Sequence, residues 1–124
     1  MAAKKTVFII EDDRFLSSLL KARLEKDGYA VVQAFDGEEG LNVLKQTKAD
    51  IIILDLILPK MSGFEALEAI SVNPLANRIP VIILSNLAQE GDILKAKQFG
   101  AMEYFVKVRV SIDDLVNKIN SVLK

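Results

Sequence analysis

Five short runs of aliphatic and aromatic residues alternate along this chain with longer segments in which apolar residues recur at helical spacing. The run at residues 51–54 is entirely aliphatic, which is too short for a membrane span and typical of a strand buried on both faces. The same pattern of short runs bounded by polar residues marks the other strands. The predicted strands are residues 6–10, 29–34, 51–54, 81–84 and 103–106.

Helix signals fill the intervals between these strands. Gly28 follows the first apolar stripe as a C′ residue, and Asp36 with Glu39 resembles a capping box that opens the second helix. The predicted helices are residues 15–27, about 37–46, 64–71, about 91–99 and 112–123. Five βα units with short connections indicate one α/β domain over residues 1–124, a doubly wound five-stranded parallel sheet with helices on both faces.

Polar or charged residues directly follow four of the predicted strands. They are Glu11-Asp12-Asp13, Asp55, Ser85 and Lys107. Because parallel strands end at one edge of a sheet, where open α/β folds place their ligands, we expect these side chains to converge. Clustered carboxylates repel one another and partly protonate unless a cation joins them. The sequence therefore predicts a metal-dependent site built around Asp55.

These residue types supply the parts needed for phosphoryl transfer to an aspartate. A carboxylate serves as the nucleophile, neighbouring acids hold Mg²⁺ through their oxygens, and an ammonium group pairs with phosphate oxygens. Such catalysis rests on positioning and charge neutralisation, so it needs no histidine. Taken singly, each residue also has an ordinary interpretation: Ser85 could cap a helix, and Lys107 could be a solvated strand-end lysine.

Composition narrows the possible functions. The chain has 124 residues, 51% of them hydrophobic, and a net charge of −1 with lysines scattered among acids, which fits one domain without a patch for direct nucleic-acid binding. No stretch approaches a membrane span, and no signal-peptide core follows residues 1–5, so we expect a cytoplasmic protein. Cysteine and histidine are absent, which excludes disulfides, a histidine phosphocarrier and a His-ligated zinc site.

The same motifs resemble the receiver domain of the response regulators of two-component signalling, over essentially the whole chain. The segments that carry the resemblance are Ile9-Ile10-Glu11-Asp12-Asp13, Leu54-Asp55, Leu58-Pro59, Gly63, Leu84-Ser85 and Tyr104-Phe105-Val106-Lys107. The resemblance is to the single-domain, chemotaxis-regulator type, and it implies a flavodoxin-like strand order of 2-1-3-4-5. It also implies a phosphorylated signalling domain rather than an enzyme.

The resemblance implies a role for each residue around the phosphoryl group. Asp55 accepts that group from the phosphohistidine of a histidine kinase or histidine phosphotransfer protein, and Lys107 contacts it. Ser85 moves to hydrogen-bond it, and Tyr104 turns inward behind Ser85. These changes remodel a partner-binding face made by the fourth helix, the fifth strand and the fifth helix. The ordinary alternative for Tyr104 is a strand aromatic without a switching role.

Mg²⁺ is the cofactor that the resemblance implies. Asp12 and Asp55 bind it directly, Glu11 binds it through water, and Ile57 lends its main-chain carbonyl. The triple acid is ambiguous by itself. The distance from Gly28 fits the family when Glu11 and Asp12 form the metal-binding pair, which leaves Asp13 to cap the first helix.

The sequence departs from the family pattern at Val108, where many receivers have a proline joined to the lysine by a cis peptide. A non-proline cis bond costs ~2.5–4 kcal/mol against roughly 0.5–1 kcal/mol for proline, so the Lys107–Val108 bond is either trans, or cis and strained. Ile57 and Leu87 occupy positions that tune dephosphorylation in the family. Neither apolar side chain can orient an attacking water, which favours a slowly hydrolysed phosphoryl group.

Three other functions compete with this interpretation. A receiver-like interaction module that acts without phosphorylation is supported by Val108 and opposed by the retained Asp55 and Lys107. A flavodoxin-like flavoprotein needs a phosphate-binding loop after the first strand, where the acidic triplet would repel phosphate, and no G-x-G-x-x-G is present. A phosphatase of the haloacid dehalogenase type would have a second aspartate two residues past the nucleophile, where this chain has Ile57.

Overall fold

Five strands and five α-helices alternate along residues 4–124, as the apolar pattern predicts. The computed structural model describes residues 4–124, so residues 1–3 of the predicted domain lie outside the described residues. The elements in chain order are β1 (Thr6–Ile10), α1 (Arg14–Lys26), β2 (Ala30–Ala34), α2 (Gly37–Leu44), β3 (Ile51–Leu54), α3 (Gly63–Val72), β4 (Val81–Ser85), α4 (Glu90–Gln98), β5 (Glu103–Val106) and α5 (Ile112–Leu123). A short 3₁₀ turn, Lys107–Arg109, links β5 to the last helix.

The strands form one parallel sheet in the order β2-β1-β3-β4-β5, which confirms the predicted fold class and strand order. The register aligns the carboxyl ends of neighbouring strands. Ile10 lies opposite Leu54, and the Asp55 N–H donates to the Ile10 carbonyl at 3.0 Å. The residues that follow β1 and β3 therefore emerge side by side at one edge of the sheet.

The sheet is covered on both faces, and the residues of β3 alternate between the two cores. Ile52 and Leu54 pack in the cluster that the helices α2, α3 and α4 cover, whereas Ile51 and Ile53 pack with α1 and α5. All four are at most 2% exposed. This double burial explains why β3 is continuously aliphatic instead of alternating between apolar and polar residues.

Local capping sets the helix ends. The Asp13 carboxylate accepts from the Leu16 N–H at 3.1 Å and caps α1, while Gly28, with φ of 97°, follows this helix in the left-handed region that favours glycine. Both features agree with the sequence predictions. The Asp36 side chain likewise caps α2 by accepting from the Glu39 N–H at 2.7 Å.

Several element boundaries differ from the predictions by one or two residues. The strand β2 begins at Ala30, because the Tyr29 N–H still donates to the Leu24 carbonyl of α1. The helix α2 ends at Leu44 rather than near Gln46, since the Gln46 N–H turns back to the Val43 carbonyl in a tighter turn. The helix α4 begins at Glu90, one residue earlier than predicted.

No helix within residues 4–124 combines the length and the apolar character that a membrane crossing requires.

The loop between β3 and α3 folds tightly onto the residues that follow β3. The Gly63 N–H donates to the Leu56 carbonyl at 3.0 Å. A Cβ atom at Gly63 would lie 2.2 Å from the Asp55 carbonyl oxygen and 2.3 Å from Leu56 Cα. Glycine is therefore required here by close approach of backbone to backbone, and it keeps the peptide of Asp55 in place.

We predict that Gly63→Ala destabilises the protein, because its methyl group would meet backbone atoms that cannot rotate away. Overpacking of this kind lowers the free energy of unfolding by roughly 1–3 kcal/mol. Gly91→Ala is the matched control, since a Cβ at Gly91 meets no atom within 4 Å and alanine stabilises a permissive position by about 0.4–1 kcal/mol. Urea titrations measure both variants. Equal stabilities would contradict the proposed backbone contact.

Candidate functional site

Asp55 is a buried carboxylate at the carboxyl edge of the sheet, immediately after β3. Its side chain is held from two sides, and the residue is only 4% exposed. One oxygen, Oδ1, accepts from the Ile57 N–H at 3.1 Å, and the other, Oδ2, accepts from Lys107 Nζ at 2.7 Å. The carboxylate is thus fixed in direction, and each of its oxygens accepts one hydrogen bond.

Lys107 bridges two acidic side chains. Its Nζ also lies 2.5 Å from Oε1 of Glu11. Burial alone would lower the pKa of Lys107, but its hydrogen bond to Asp55 and its charge interactions with Asp55 and Glu11 outweigh that effect and raise the pKa above its ordinary value. The described residues contain no cis peptide bond. The Lys107–Val108 bond is therefore trans, which resolves the alternative left open by the sequence.

Glu11 is the most deeply buried acid of the site. It is 2% exposed, and its Oε2 accepts from the Asp13 N–H at 3.1 Å. Although Oε1 lies close to Lys107 Nζ, the contact lacks hydrogen-bond geometry, and Oε1 accepts no hydrogen bond from the described residues. Burial raises the pKa of Glu11 from 4.5 to about 7, and the nearby Lys107 ammonium only partly opposes this rise.

Three carboxylates converge at this edge, and they are the three that the sequence suggests as metal ligands. Carboxylate oxygens of Glu11, Asp12 and Asp55 all lie within 4.8 Å of one another. The set contains only oxygen donors, and Oε1 of Glu11 still has a free acceptor site, so these residues fit a hard divalent cation such as Mg²⁺. Asp13 instead caps α1, as predicted. The Ile57 carbonyl stays a predicted ligand.

Ser85 and Tyr104 are joined through the backbone of one residue, Leu87. The hydroxyl of Ser85, which is fully buried, accepts from the Leu87 N–H at 3.3 Å. The Tyr104 hydroxyl donates to the Leu87 carbonyl at 2.6 Å, and its ring packs against the core, where burial raises its pKa to about 12. Ser85 caps no helix, because Gln89 is the N-cap of α4. The sequence does not predict this role of Leu87, because the residue acts through its main-chain N–H and carbonyl and these groups do not depend on the side chain.

This arrangement defines the class of protein. The strands form a doubly wound parallel sheet, and an acidic cluster, a lysine and a serine lie at their carboxyl ends, as the resemblance to receiver domains implies. Residues 7–120 match the family model described as the response regulator receiver domain. The chain belongs to this family, and it is a receiver domain of two-component signalling.

Known proteins resemble the chain over different shares of their length. It is 33% identical to the protein PilH of Pseudomonas aeruginosa, over 94% of this chain and 96% of PilH. It is 39% identical to an uncharacterized transcriptional regulatory protein, YcbL of Bacillus subtilis, over 80% of this chain but only 42% of YcbL. The chain spans about half the length of several curated relatives that it matches.

A solved structure with a similar fold is described with a bound magnesium ion. The receiver domain of a sensor histidine kinase from Pseudomonas aeruginosa superposes with a TM-score of 0.85 at 25% identity, covering 96% of this chain and 97% of that one. Its structure is described with a magnesium ion coordinated in the active-site cleft. Receiver domains bind Mg²⁺ at an acidic site, and an acidic cluster of Glu11, Asp12 and Asp55 is present here.

The raised pKa of Glu11 predicts a pH-dependent stability in metal-free buffer. Between about pH 4.5 and pH 7 the folded protein binds more protons at Glu11 than the unfolded chain does. The free energy of unfolding should therefore fall as the pH rises through this interval. Glu11→Gln removes the titrating carboxyl and should flatten that slope.

Urea titrations across this pH range, with a chelator present, measure the effect. The matched control is Glu25→Gln, which changes an exposed glutamate on α1 in the same way and should keep the wild-type slope. If Glu11→Gln and the wild type show the same slope, the pKa of Glu11 is not raised by burial in the folded protein, and the prediction is wrong.

Proposed function

We propose that this domain accepts a phosphoryl group on Asp55 and transmits that change to a protein partner. The observation that carries the proposal is the position of Lys107, whose ammonium lies 2.7 Å from Asp55 and 2.5 Å from Glu11. A cation held against the acceptor carboxylate neutralises charge that would otherwise repel an incoming phosphate. The fixed direction of the Asp55 carboxylate supports its role as nucleophile.

The chemistry of acceptance follows from these positions. An oxygen of Asp55 attacks the phosphorus of a phosphohistidine, an O–P bond forms, and the P–N bond breaks with its electron pair moving to the imidazole nitrogen. Lys107 pairs with the oxygens of the transferred group. Asp12, Asp55 and Glu11, with the Ile57 carbonyl, would hold Mg²⁺. The bound ion would supply charge neutralisation for the phosphoryl oxygens.

The signal leaves the site through Leu87. Oxygens of a phosphoryl group on Asp55 offer new acceptors for the Ser85 hydroxyl, which would then turn away from the Leu87 N–H. Because the carbonyl of Leu87 accepts from the Tyr104 hydroxyl, movement of this residue repositions the Tyr104 ring. The ring belongs to β5, so the change reaches the face formed by α4, β5 and α5.

The partners of this domain follow from the same proposal. Receiver domains interact with histidine kinases or histidine phosphotransfer proteins, and one of these is the proposed phosphoryl donor. A downstream protein is proposed to read the α4, β5 and α5 face. The net charge of −1 offers no support for direct binding to nucleic acid.

We predict that Asp55 is the phosphorylated residue and that Asp12 is required for the reaction. The wild type, Asp55→Asn, Asp12→Asn and Asp13→Asn are incubated with acetyl phosphate, with and without Mg²⁺, and weighed intact. The wild type should gain the mass of one phosphoryl group only with Mg²⁺.

Asp55→Asn and Asp12→Asn should gain nothing, because one lacks the nucleophile and the other a metal ligand. Asp13→Asn is the matched control and should be modified like the wild type, since Asp13 caps α1. An adduct on Asp55→Asn would contradict the assignment. An unmodified wild type would favour the interaction module that acts without phosphorylation.

We also predict that the response passes through Leu87. Amide NMR spectra are compared before and after addition of beryllofluoride and Mg²⁺, which stand in for the phosphoryl group. Chemical shifts should change at Asp55, Ser85, Leu87 and Tyr104 and along α4. Ser85→Ala should confine the changes to the neighbourhood of Asp55, because the hydroxyl that contacts both the phosphoryl group and Leu87 is missing.

Tyr104→Phe should leave the changes at Leu87 and reduce those along β5, since it keeps the ring and loses the hydrogen bond to Leu87. Ser121→Ala is the matched control, because the Ser121 hydroxyl donates only to the Lys118 carbonyl within α5. If Ser85→Ala responds like the wild type, the proposed route through Leu87 is wrong.

A further inference from the structure

An apolar groove opens at the edge of the sheet opposite Asp55. It has a volume of about 500 Å³ and lies between the segment that precedes β3 and the segment that precedes β4. Its apolar lining comes from both segments: Leu44, Ala49, Leu75, Ala76 and Ile79. The groove belongs to neither the acidic cluster nor the face of α4, β5 and α5.

Apolar side chains at this groove reach far into solvent. Leu75, which lines the groove, is 88% exposed. Val72 is not part of the lining, but it lies three residues earlier at the end of α3 and is 73% exposed. Ala76, beside Leu75, is buried at 4% exposure and forms part of the core beneath the groove. Amphipathic helices bind to other proteins by placing their apolar face in a concave apolar groove of this kind.

Two cations and one anion line the groove. Lys45 and Lys48 line it, and neither forms an ion pair with a carboxylate among residues 4–124. The acid that lines the groove is Asp50, and its Oδ2 already accepts from the Thr6 N–H at 2.7 Å. The rim therefore presents cations free to pair, although the whole chain carries a net charge of −1.

We propose that this groove binds an amphipathic helix of a partner protein whose apolar residues are flanked by Asp and Glu. The apolar residues would cover Leu75 and fill the groove, and the acids would meet Lys45 and Lys48. Charge complementarity selects this occupant, because a basic helix would be repelled and an uncharged one would leave the lysines unpaired. The site is separate from Asp55, so binding does not require phosphorylation.

The test uses two synthetic helical peptides with the same leucines at i, i+3, i+4 and i+7, one flanked by Glu and one by Lys. Fluorescence anisotropy measures their binding to Asp55→Asn, so that phosphorylation plays no part. We expect the Glu-flanked peptide to bind and the Lys-flanked peptide to bind at least about tenfold more weakly. Amide chemical shifts should change at residues 44–50 and 72–79.

Two sets of variants locate the binding. Leu75→Ser and the pair Lys45→Glu with Lys48→Glu should each weaken the Glu-flanked peptide by about tenfold, a loss typical of a central apolar anchor or of reversed charge. Leu75 is so exposed that its replacement leaves the fold intact. The matched controls are Leu94→Ser, 57% exposed on α4, and Lys26→Glu on α1, which should both bind like the parent protein.

Three outcomes would overturn the proposal. The first is no binding of the Glu-flanked peptide. The second is equal binding of both peptides, which would indicate adhesion to apolar surface without charge selection. The third is Leu75-dependent binding to vesicles of anionic phospholipid in place of the Glu-flanked peptide, which would assign the groove to a membrane surface. None of these outcomes bears on whether Asp55 is phosphorylated.

Discussion

The sharing of one ammonium by two buried carboxylates is the interaction on which the site depends. Burial of a carboxylate is costly unless a cation or hydrogen bonds compensate it, and Glu11 and Asp55 are both buried beside Lys107. Asp55 has two hydrogen-bond donors, but Oε1 of Glu11 has only a poorly directed contact. The cluster is therefore incompletely compensated, and a divalent cation among its carboxylates would relieve the remaining cost. The cost of burying these carboxylates therefore lowers the stability of the metal-free protein, and the same cost favours the binding of a cation.

Backbone geometry brings these charges together. The register of β1 against β3 places Ile10 opposite Leu54, so Glu11 and Asp55 emerge at the same level. Behind them, Gly63 allows the β3–α3 loop to pass within contact of the Asp55 peptide. The Leu87 peptide then joins Ser85 to Tyr104 by one hydrogen bond on each side. These main-chain contacts thus fix the positions of the side chains in the site relative to one another.

The sequence predicts the elements well because the physical signals are local. The continuous aliphatic run of β3, the Asp13 cap and the glycine at position 28 each act within a few residues, and the structure agrees with all three. The strand order could not be predicted from local signals, because nothing in an apolar strand indicates which strand lies next to it. The correct prediction of the order rested on the family resemblance. The role of Leu87 could not be predicted, because its N–H and carbonyl are common to nearly every residue.

Val108 shows which interactions aim the lysine. The bond before it is trans, the chain continues into the 3₁₀ turn, and Val108 itself is 79% exposed. Lys107 nevertheless reaches Asp55, because its position has two independent supports. The pairing of Val106 with Ser85 fixes where β5 ends, and the carboxylates of the site hold the ammonium from the other end. A cis proline after the lysine is therefore not needed to orient it, because the acidic cluster supplies that orientation while the Val108 side chain stays in solvent.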